Sequence, residues 1–133
     1  MKPVLPNGWP RPSGYSAGVV AEGRVLFVSG QIGWDASGRI VSADFAEQVA
    51  QALRNVVAVV LAAGATPADV ARLTWYVTDK REYLASLKAI GAAYRDVFGA
   101  HYPAMSVVEV SGLLEHGAKV EIEATAVIPH DRA

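Results

Sequence analysis

The chain has 133 residues, twelve Lys and Arg against thirteen Asp and Glu, and no cysteine. That length supports one domain with a sizeable core, the missing cysteines exclude disulfides and thiolate chemistry, and a net charge of -1 argues against the clustered basic face of a nucleic-acid binder. An apolar fraction of 52% with positive mean hydropathy is high for so small a protein, and implies surface buried against another chain.

Residues 1–14, MKPVLPNGWPRPSG, have no apolar leader core, and prolines at 3, 6, 10 and 12 forbid a helix. They read as an extended arm. No apolar run approaches the length that spans a bilayer, so no membrane is expected and the cytoplasm is the expected compartment. Strands follow near Tyr15–Ala21 and Arg24–Gly30, with turns at Glu22-Gly23 and around Gly38.

Asp44, with Glu47 three residues on, opens a helix in a capping-box pattern. Phe45, Val49, Leu53, Val56, Val60 and Leu61 form its apolar stripe, and Gly64 ends it. Thr66-Pro67-Ala68-Asp69 predicts a short helical turn with proline at its first position. Arg72–Thr78 alternates Leu73, Trp75 and Val77 against Thr74 and Tyr76, which is a strand. A second helix then carries Tyr83, Leu87, Ile90, Tyr94 and Val97 or Phe98 on one face and stops at Gly99.

Tyr102–Ile128 reads as two strands joined by a polar loop. In the second, Val120, Ile122, Ala124, Ala126 and Ile128 take one face while Lys119, Glu121, Glu123 and Thr125 take the other. On pattern alone that second face is a solvated one. The order β-β-α-β-α-β-β defines an α+β fold whose two helices cover one face of a sheet. The opposite face, with Tyr76 and Val107, needs cover, and a second copy of the chain can supply it.

Few residues could carry chemistry. Ser29 and Ser106 lie in no GxSxG elbow, and His101, His116 and His130 sit in loops or the tail. No ligand spacing for a metal and no glycine-rich phosphate cradle appears, so neither a metal nor a nucleotide cofactor is expected. What remains is a carboxylate able to activate water.

Several motifs in order resemble one family. Gly14-Tyr15-Ser16-Ala17-Gly18-Val19, Val28-Ser29-Gly30-Gln31-Ile32, Pro103-Ala104-x-Ser106, Val108-Glu109-Val110 and Val120-Glu121-Ile122-Glu123-Ala124 are similar to those of the reactive intermediate deaminases (Rid, YjgF-type). Some members of that family are labelled endoribonucleases L-PSP. The resemblance covers Tyr15 to Ile128, as a single domain across residues 1–133. It implies a chorismate-mutase-like α+β fold assembled as a homotrimer, with three small-molecule clefts between subunits. It also implies that Glu121 positions a water at an imine carbon, that Tyr15 and Ser29 line the cleft, and that the backbone near Val107 contacts the ligand.

In family members that deaminate imines an arginine stands where this chain has Met105. Its fork would pair with a substrate carboxylate, and methionine offers neither charge nor donor. Losing one partner of a desolvated charge pair costs about 3–5 kcal/mol, so small amino-acid-derived imines are expected to be poor ligands. Lys88, which aligns with a position where the family often has asparagine, could hold an anion elsewhere in the cleft; otherwise it is an exposed helix lysine. Two readings follow: an enamine or imine hydrolase of a larger or less carboxylate-dependent substrate, or a non-enzymatic ligand-binding trimer. A ribonuclease fits neither the charge nor the absence of a catalytic histidine pair.

Overall fold

The computed structural model describes residues 1–132. Its central strand is β6 (Val120–Ile128), whose alternation of buried and half-buried residues follows the sequence without a break. β3 (Arg24–Ile32) and β4 (Val70–Val77) flank β6, both antiparallel to it, and β5 (Ala104–Glu109) runs parallel to β4 at one edge. The sheet order is β3-β6-β4-β5. A parallel neighbour requires a crossover, and the helical segment between β4 and β5 provides it.

Helix α1 (Phe45–Ala62) packs on one sheet face through Phe45, Val49, Leu53, Val56 and Val60, all buried against Leu73, Trp75, Val120 and Ile122. Leu61 was expected in this stripe but is 56% exposed, because it falls one position past the core-facing row. The Asp44 carboxylate accepts from the Glu47 N–H at 3.0 Å, while Ser42 Oγ, not Glu47, accepts from the Asp44 N–H. Gly64 follows the helix at φ +82°. Contrary to the expectation for apolar runs, α1 matches a spanning helix in length, with a mean hydropathy of 1.2. That average conceals two faces: Glu47 and Arg54 are exposed while the apolar stripe is buried on the sheet.

The second helix is two. α2 (Lys80–Ala85) and α3 (Leu87–Phe98) are separated by Ser86, whose φ of -111° and ψ of 12° lie outside the helical region. The Ser86 N–H closes α2 on the Tyr83 carbonyl at 3.1 Å. Tyr83 therefore packs edge-on against Phe45 and Trp75, whereas Leu87, expected on the same stripe, is half exposed. Ile90, Tyr94 and Phe98 are buried as their spacing predicts.

The N-terminal arm is more ordered than its prolines suggest. β1 (Lys2–Val4) pairs antiparallel with β2 (Gly18–Val20), and Pro3 causes no loss because only one side of this strand is paired. Ser16 then fastens the arm to the β5 edge: its N–H donates to Pro103 O at 3.0 Å and its hydroxyl to Tyr102 O.

Candidate functional site

Strand register decides which side chains can meet. Met105 pairs with Leu73 and Val107 with Trp75, so both face the helices. This corrects the placement of Val107 on the open face: Val108 is there instead, registered with Tyr76 and 43% exposed. The open face also carries Phe27 at 79% exposure and Val25 at 52%.

A groove of about 580 Å³ lies beyond the β5 edge, floored by Met105, Val107 and Trp75 and walled by α2 and α3. The Ser16 anchor brings Tyr15 to its rim. Tyr94 and Tyr102 stack at 5.5 Å and 11° at one end, and the Tyr94 hydroxyl donates to His101 O at 2.6 Å. Lys88 is exposed on α3 and does not line this groove; Arg95, two turns on, does. Trp75 is 2% exposed, and its indole Nε1 has no hydrogen-bond partner among the described residues.

The carboxylates lie on the other face. Glu123 accepts from the Tyr76 hydroxyl at 2.6 Å. That bond, the desolvation of the phenol and the nearby carboxylates hold the Tyr76 phenol above its ordinary pKa. Glu121 makes no hydrogen bond or ion pair among the described residues, and its carboxylate lies over Gly30, where a β-carbon would come within 2.2 Å of Oε2. Ser29 lies beside Gly30 and accepts weakly from Gln31 Nε2 at 3.3 Å. It also lines a depression of about 440 Å³ with Phe27, Arg72, Thr74 and Glu123.

Within one chain the predicted residues thus fall into two sets. Tyr15, Met105 and Val107 share the groove, while Ser29 and Glu121 share the open face near β3. His101 is no free loop histidine: its Nε2–H donates to Val70 O at 2.7 Å, which fixes that tautomer. Among the described residues no cluster of His, Asp and Glu could hold a metal ion. The rest of the aromatic and cationic lining, Tyr83, Tyr94, Tyr102 and Arg95, was missed by sequence reasoning, because no local pattern marks these residues as neighbours of one groove.

A mixed sheet with helices on one face, a tyrosine-rimmed edge groove and an unpaired glutamate on the opposite face define a small α+β domain with two separate candidate half-sites. Residues 10–128 match the family described as Endoribonuclease L-PSP, and the chain belongs to this family, that of the Rid and YjgF proteins. Human 2-iminobutanoate/2-iminopropanoate deaminase is 33% identical over 114 residues, covering 85% of this chain and 79% of that one. The Rid-family protein YyfB from Yersinia pestis superposes with a TM-score of 0.84 at 37% identity, covering 96% and 98% of the two chains. TdcF from E. coli, whose structure holds bound serine, superposes with a TM-score of 0.67 at 34% identity over 96% and 99%.

Proposed function

We propose that this protein hydrolyses the C=N bond of an imine or enamine in clefts shared between protomers of a homotrimer. The groove of one protomer holds the organic part of the substrate. Glu121 of the next protomer, seated over Gly30, orients the attacking water. Glu121 accepts a proton as water adds to the imine carbon, then returns it to nitrogen. The resulting carbinolamine expels ammonia and leaves a carbonyl, so an imine and one water become a carbonyl compound and ammonia.

The observation that carries this reading is the inequality of the two glutamates. Glu123 is committed to Tyr76, whereas Glu121, on the same face, has no partner among the described residues. A general base must have lone pairs free for water, and Glu121 offers its whole carboxylate, whereas one oxygen of Glu123 is already held by the Tyr76 hydroxyl. The similarity to a human imine deaminase supports the reaction class, and the serine bound by TdcF supports an amino-acid-derived ligand.

The test is ammonia release from imines generated in situ by an amino acid oxidase acting on phenylalanine. Glu121→Gln abolishes the acceleration while the melting temperature stays close to wild type, and Glu123→Gln retains most of it. Full activity in Glu121→Gln, or no wild-type acceleration with any oxidase-derived imine, would end the hydrolase reading.

A further inference from the structure

We infer that Arg95, seated over Gly91, is the groove's anion anchor, and that the groove selects an organic acid with a flat apolar body. This inference rests on the reading of the groove as one wall of the ligand site. Both residues lie on α3, four apart, so the Arg95 side chain folds back over the preceding turn. A β-carbon on Gly91 would lie 3.2 Å from Arg95 Nη1, so the glycine leaves the space in which the guanidinium rests. The guanidinium makes no ion pair or hydrogen bond among the described residues, while three other cations of the chain are paired. An unpaired guanidinium lining a groove of this size suits a carboxylate better than a neutral group.

The floor supplies the second requirement. Met105, Val107 and Ile90 offer only apolar surface, and the thioether adapts to the edge of an aromatic ring. Trp75 completes the floor, 2% exposed, with its own N–H buried out of a ligand's reach. Cation and apolar floor together describe an aromatic or similarly flat acid. Phenylpyruvate has both features.

Calorimetric titration of the purified assembly with phenylpyruvate tests this at equilibrium, without turnover. Phenylpyruvate binds, and propionate and the neutral 3-phenylpropanamide bind about tenfold more weakly or worse, roughly 1.4 kcal/mol per decade. Arg95→Gln weakens the acid by about tenfold and leaves the amide unchanged, as expected for a lost charge-assisted pair. Because Arg95 is exposed, that variant keeps its fold. Wild-type affinity in Arg95→Gln, equal binding of acid and amide, or no saturable binding of phenylpyruvate at millimolar concentration would overturn the inference. If Arg95→Gln binds normally while Glu121→Gln abolishes turnover, only the anchor falls. If Arg95→Gln loses affinity while Glu121→Gln turns over, only the hydrolase reading falls.

Discussion

Met105 and Glu121 sit on opposite faces of the same sheet, two strands apart. Met105 is registered with Leu73 beneath the helices, and Glu121 with Tyr76 on the uncovered face. No rotamer change carries either side chain through the sheet. One protomer therefore cannot bring them into one cleft, whereas two protomers packed face to edge can.

That packing predicts the oligomeric state. Phe27, Val25 and Val108 expose apolar surface on the open face, which is costly unless another chain covers it. Light scattering gives about three times the 14.0 kDa chain mass. Phe27→Glu, which places a charge at the centre of the patch, yields monomers. A monodisperse wild-type monomer contradicts the account.

Gly30→Ala tests the seating of Glu121. The new methyl group would meet the end of the Glu121 side chain, which can swing aside into solvent, so the fold survives. The carboxylate is displaced, and misplacing a catalytic group by about 1 Å costs on the order of a hundredfold in rate. The prediction is a large loss in kcat with a melting temperature near wild type. Unchanged kcat would mean that the position of this carboxylate does not matter.

Met105→Arg adds a guanidinium beside the floor of the groove. It is expected to raise hydrolysis of 2-iminopropionate, for which the wild type is expected to be poor, by about tenfold or more, roughly 1.4 kcal/mol of transition-state stabilisation. Ammonia release from oxidase-treated alanine measures it. A wild type already efficient on this small imine contradicts the role given to Met105.

The tail is held by charge. Asp69 is buried beneath Arg132, whose Nη1 donates to its carboxylate at 2.9 Å, and the Thr66 N–H donates from the other side at 2.9 Å. Burial alone would raise the Asp69 pKa, but the guanidinium and the Thr66 donors outweigh it and hold it below 3.8. A depressed carboxylate stabilises the fold at every pH above its unfolded value, and that contribution is lost as pH falls through the folded value. Asp69→Ala costs about 2 kcal/mol at neutral pH. In urea melts the gap to wild type narrows only below pH 3.8. A gap that is constant down to pH 2 would show that it does not depend on this charge.

Much of the fold was legible. The strict alternation of Val120–Ile128 survives because one face is wholly buried and the other is not. The start of α1 followed from Asp44 and Glu47, although Ser42 completes the cap. The break at Ser86 was not legible, since neither glycine nor proline marks it and only packing of Tyr83 against Trp75 and Phe45 selects it. The faces of β5 were ambiguous for a different reason. Ala104–Glu109 carries apolar residues at Met105, Val107 and Val108, so period two cannot choose, and the parallel register with β4 does. Arg95 was hidden because a helix-surface cation has no sequence signature until the fold brings α3 beside β5.

The central claim is that the cleft is built from two protomers, and mixed trimers test it most directly. Glu121→Gln disables the open-face half, and Met105→Glu, which sets a carboxylate in the groove to repel an anionic ligand, disables the other. Each variant alone is inactive. Co-refolded in equal amounts, they form mixed trimers in which one cleft pairs an intact groove with an intact Glu121, so random assembly restores about a quarter of wild-type ammonia release. A mixture as inactive as its components would place the whole site within one protomer and contradict the account.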